Sequence, residues 1–178
     1  MVLGLIASIA LAVNLNPDVF GQLIVERTGT VHAADGKASS AKLDIGCGPS
    51  FLVDLTVPVA SGLFDFDDFQ GLNSTARNRT LSRLKWIDTG QETSVSSATF
   101  GWNGSSLFTF RVQQEPGQSG PLTTLMTAIG ARGGKLEWMQ TAFDDPQHTL
   151  TAEFAFDAAA AASVQNLVAS CLPPRKIH

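Results

Sequence analysis

Three groups of side chains in this chain have residue types that could do chemistry. The first is a carboxylate cluster. Asp65, Asp67 and Asp68 lie between Gly62 and Gly71, interleaved with Phe64, Phe66 and Phe69. Clustered carboxylates can bind calcium, but the spacing fails an EF-hand loop: the fifth position is Phe69, and Gln70 stands where glycine is required. The plainer reading is a loop with its phenylalanines inward and its aspartates in water.

The second group is His148 with Asp144 and Asp145. The chain has three histidines; His178 is terminal and His32 falls in a leader-like stretch. A histidine-dependent triad or metal site in the folded domain would therefore have to use His148. No nucleophile or second ligand can be assigned to it by spacing, so a loop histidine is the simpler reading. Other motifs fail on inspection. Gly117-Gln118-Ser119-Gly120 lacks the spacing of a nucleophile elbow. Gly130 to Lys135 has Ile129 and Leu136 where a phosphate loop needs a glycine and a hydroxyl. Gly46-Cys47-Gly48 lacks the third glycine of a dinucleotide fingerprint. No catalytic residue, metal or cofactor is expected.

The third group is the cysteine pair, Cys47 and Cys171. They are too far apart in sequence for a Cys-x-x-Cys motif, and in an exported chain they read as one disulfide. The alternative is two separate buried thiols.

The elements that must position these residues follow from periodicity. Phe51, Val53, Leu55, Val57 and Val59 alternate with Leu52, Asp54, Thr56 and Pro58, which marks a strand ending at a proline or lying at a sheet edge. Gln22 to Glu26, Lys42 to Gly46, Leu81 to Ile87, Lys135 to Met139 and a strand carrying Leu150, Ala152, Phe154 and Phe156 are further candidates. Asn103-Gly104 between apolar runs marks a hairpin. A three-residue loop, Asn103 to Ser105, would pair Phe100 with Phe108. It would gather Phe100, Trp102, Phe108 and Phe110 on one face and leave Thr109 and Arg111 on the other. Pro121 opens a helix whose stripe is Leu122, Leu125, Met126 and Ile129. Asp157 caps a second helix carrying Val164, Leu167, Val168 and Cys171, which puts Cys171 on the buried face. The expected fold is α+β: a mainly antiparallel sheet or sandwich with two amphipathic helices, at about residues 121–131 and 158–171.

The 178 residues suit one domain of ordinary core size, and 44% apolar against 16% charged residues describes a folded globule. The net charge of −4, with no basic stripe, argues against nucleic acid. With no tyrosine and eleven phenylalanines, a tyrosine-rich recognition surface is excluded. Val2 to Val13 is apolar but too short to span a bilayer. It reads as a signal-peptide core with an atypical start, the tail of a longer leader, or a buried first strand. Small-residue cleavage sites stand at Ala10-Leu11-Ala12 and Val31-His32-Ala33. Residues 1–33 are therefore expected to be leader-like or flexible, and residues 34–178 to form the domain, exported to the periplasm or beyond.

The small-residue final helix, the alternating strand before it and the late cysteine resemble small exported proteobacterial proteins of the invasion-associated locus B type, over about residues 121–171. That resemblance implies an envelope protein without assigned chemistry, and it carries over no functional residue. The functional expectation is a non-catalytic domain that binds a protein or envelope component. The alternatives are a hydrolase or other enzyme using His148 or the Asp65–Asp68 cluster, and a structural subunit of an assembly.

Overall fold

A computed structural model describes residues 16–17, 23–59, 82–95, 98–115, 119–141 and 149–171. In chain order the elements are β1 (Asn16–Pro17), β2 (Leu23–His32), β3 (Ala38–Cys47), β4 (Phe51–Pro58), β5 (Ser82–Trp86), β6 (Gln91–Val95), β7 (Ala98–Asn103), β8 (Leu107–Gln114), α1 (Pro121–Arg132), β9 (Gly134–Thr141), β10 (Thr149–Phe156) and α2 (Ala158–Cys171).

The strands form one antiparallel sheet in the order β6-β5-β9-β10-β2-β3-β4-β8-β7, with β1 added beside β2. The sheet curls into a half-barrel, so the α+β, mainly-β class holds, and the sandwich gives way to a single sheet closed by helices. The physical reason lies in α1 and α2. They pack on each other, α1 against β6 and β8, α2 against β2, β3 and β10, and they supply the second layer that another sheet would have provided.

Period-two alternation decides the inner face. Leu43 and Ile45 on β3, Val53, Leu55 and Val57 on β4, Phe108, Phe110 and Val112 on β8, and Leu150, Ala152 and Phe154 on β10 are fully buried. The helix stripes Leu125, Met126, Ile129 and Val164, Leu167 fill the space above them. Asp157 caps α2, accepting the Ala160 N–H at 2.8 Å. Among the described residues no helix is long and apolar enough to cross a membrane.

Two expectations are corrected. Leu23–His32, expected in the leader-like or flexible segment, is an interior strand between β10 and β3, with Val25 and Val31 buried. Its alternating Thr, Gly and Arg residues hide it among polar neighbours. Residues 1–15, with the apolar run, lie outside the described residues. The hairpin does have three loop residues, but they are Gly104 to Ser106: Asn103 pairs with Leu107, Trp102 with Phe108 and Phe100 with Phe110. Gly104 takes the positive φ of 71° that the turn requires. The shift preserves parity, so Phe108 and Phe110 are core. Trp102, on the last strand of the sheet, lies edge-on to Phe108 at 5.4 Å and stays 47% exposed. β4, ending at Pro58, is an interior strand between β3 and β8, not an edge.

The sheet has a narrow seam. β2 and β10 share only the rungs His32–Thr151, Val31–Ala152 and Thr30–Glu153. Below them Gly29 lies against the Glu153 carbonyl and the Phe154 ring, with no room for a Cβ. Further down, Arg27 bridges the opening, donating to the Ala155 carbonyl at 3.1 Å with its guanidinium over the Phe156 ring. β1 takes the remaining edge of β2, at Leu23 and Ile24.

Candidate functional site

Asp65, Asp67, Asp68, Asp144, Asp145 and His148 all lie outside the described residues. Among the described residues no group of three or more His, Cys, Asp or Glu side chains could hold a metal. Cys47 and Cys171 are brought together: their Cα atoms are 5.8 Å apart, and they join β3 to the end of α2 across a separation of 124 residues. That link is structural and lies at the edge of the core.

The candidate site is on the outer face of the sheet, where sequence reasoning expected only water-compatible residues. Glu26, Asp44, Asp54 and Arg111 are successive partners on one rung across β2, β3, β4 and β8. Three carboxylates in a row would repel one another, and two cations offset this. Arg111 clasps Asp54 with two hydrogen bonds, Nε to Oδ1 at 2.8 Å and Nη2 to Oδ2 at 2.6 Å. Lys42 reaches Glu26 at 2.8 Å and Asp44 at 3.2 Å.

The two neighbouring aspartates have different surroundings. Asp54 is buried with both oxygens committed, and its hydrogen bonds hold Arg111 still more firmly protonated. Asp44 is pushed above the usual carboxylate range. Burial is the main cause, Glu26 and Asp54 add to it, and Lys42 opposes it. Its Oδ1 is buried without a hydrogen-bond partner among the described residues. For Lys42, burial works to lower proton affinity, and contacts with Glu26 and Asp44 more than offset it.

Next to this row is a cleft of about 290 Å³ whose wall includes Thr56, Thr109, Gly101 and Asn103 beside Asp44, Asp54 and Arg111. The Thr56 and Thr109 hydroxyls are 3.1 Å apart across their rung. Gly101 leaves the cleft open: a Cβ there would meet nothing within 4 Å. The arrangement offers fixed donors and acceptors side by side. Asp54 is too fully engaged to act as a nucleophile, so its role is to hold the guanidinium in place. A larger groove of about 760 Å³ runs along the outer side of α1, past Thr124, Thr127, Ala128 and Arg132 to Trp86 and Gln91. Its wall is mostly hydroxyls and alanine methyls, and its one charged side chain, Arg132, lies over the Trp86 ring, so fewer charged groups converge there.

Sequence reading missed this site because each residue looked like ordinary outer-face decoration. The available signal was Asp54 on the polar side of an otherwise apolar strand, at the parity of Arg111. Comparison with protein-family models, curated proteins and solved structures finds no match for this chain.

Proposed function

We propose that this chain is an exported binding domain, working in the periplasm or outside the cell, which engages an envelope component or protein through the outer-face cleft. The observation that carries the reading is preorganisation. Arg111 is fixed by a buried aspartate at the wall of a cleft that Gly101 leaves open, so binding orders few side chains. The cysteine pair at disulfide distance weakly supports an oxidising compartment. The resemblance of residues 121–171 to exported proteobacterial proteins points the same way.

Co-sedimentation with washed bacterial envelopes tests this reading. Wild-type protein should pellet with the envelopes. Gly101→Leu, which fills the cleft from a strand position with room for a side chain, should stay in the supernatant with an unchanged melting temperature. Equal pelleting of both proteins, or of neither, would count against it.

A further inference from the structure

We infer that the cleft holds one neutral saccharide unit, an inference that rests on the binding reading above. Three features of the cleft lead to this. The first is the kind of polar group present. A sugar hydroxyl both donates and accepts, and ring hydroxyls stand next to one another. The cleft matches that pattern: a guanidinium supplies donors, Thr56 and Thr109 present two hydroxyls 3.1 Å apart, and the exposed Asn103 amide does both. Arg111 keeps 44% of its side chain exposed after binding Asp54, so N–H donors remain for a ligand.

The second feature is charge. The row holds three carboxylates, Glu26, Asp44 and Asp54, against two cations, Lys42 and Arg111, an excess of one carboxylate that disfavours phosphate or carboxylate ligands. A cationic ligand is not called for, because every carboxylate of the row already touches a cation: Asp54 touches Arg111, and Lys42 touches both Glu26 and Asp44. The third feature is size. About 290 Å³ is just below the roughly 300–1,000 Å³ typical of small-molecule sites, enough for one ring with the rest of a glycan outside. The cleft lies beside β7, the last strand of the sheet, which leaves a way out for that chain.

Ligand-observed NMR with chitobiose and maltose as neutral probes and digalacturonate as the anionic probe tests the inference on the full chain. At least one neutral disaccharide should show saturation transfer and digalacturonate none. Asn103→Ala, an exposed change that spares the fold, should weaken the neutral ligand about threefold to tenfold, the loss of one hydrogen bond. Gly101→Leu should abolish binding. The inference is overturned if neither neutral disaccharide binds, if digalacturonate binds more tightly, or if Gly101→Leu binds as well as wild type. Gly101-dependent sedimentation with envelopes, combined with no saccharide binding, would reject the saccharide and leave the binding reading standing.

Discussion

Arg111 and Asp54 stand directly opposite each other on β8 and β4, and the guanidinium takes both carboxylate oxygens of a residue that is only 8% exposed. Removing the arginine leaves a buried anion without its partner. Arg111→Ala should therefore cost about 2–4 kcal/mol in urea denaturation, below the full value for a buried pair because the guanidinium is partly in solvent. The double variant Asp54→Leu with Arg111→Met should recover much of that loss. A double variant no more stable than Arg111→Ala would show that the pair is not buried as described.

Asp44 predicts a pH dependence of defined sign. Its carboxyl binds protons more tightly in the folded chain than at its ordinary value of 3.8, mainly through burial. The stability this contributes is fully present below 3.8 and is lost as pH rises through the raised folded value. Between those two pH values, wild-type stability should fall with rising pH relative to Asp44→Asn, which does not titrate there. Parallel melting curves for the two proteins across that interval would contradict the assignment.

Leu125 and Ile129 are fully buried where α1 covers the sheet. Leu125→Ala or Ile129→Ala should each cost about 2–4 kcal/mol, through lost transfer energy and the cavity left behind. Chemical denaturation reads this directly. A loss below about 0.5 kcal/mol would indicate that the stripe is not core.

Gly29→Ala should be more damaging than its single methyl group implies. The added carbon would run into the Glu153 carbonyl and the Phe154 ring, both held by the sheet. A loss of about 1–3 kcal/mol is expected from this overpacking. Gly101→Ala, with open space at the same atom, is the matched control and should leave the melting temperature unchanged.

Non-reducing mass spectrometry of protein recovered from an oxidising compartment should show Cys47 linked to Cys171, as their 5.8 Å Cα separation allows. For a loop of this length the chain-entropy model assigns about 4–5 kcal/mol to the bond. Recovery of two freely alkylated thiols would remove this contribution and weaken the export argument with it.

Much of the fold was legible wherever a single period dominated. Phe51 to Val57 alternated cleanly, the two helix stripes repeated at helical spacing, and both became core. β6 was not legible: Gln-Glu-Thr-Ser-Val carries little apolar pattern, and it is a strand because β5 pairs with it. β2 was obscured because Arg27 and Gly29 occupy inner-face positions where apolar residues would have announced it; the seam with β10 accounts for both. The outer-face cleft was the least legible feature. It depends on Asp44, Asp54 and Arg111 meeting on one rung from three strands, and register between distant strands is a tertiary outcome that no local pattern contains.

The seam between β2 and β10 has a kinetic consequence. On one side of it, β2, β3, β4, β8 and β7 form a continuous set of neighbours; on the other stand β6, β5, β9 and β10. β2 is among the first described strands in the chain and β10 is the last, so their rungs join residues near 31 to residues near 152. Contacts that distant in sequence form late. During synthesis this edge of β2 must wait for its partner until β10 has emerged, and an unpaired strand edge in that interval invites pairing with other chains. Cys47 ends β3 and Cys171 ends α2, which follows β10, so their bond becomes possible only when α2 has emerged and packed on β2 and β3. The cysteine link then ties the two halves together at the end of β2 away from its three rungs with β10.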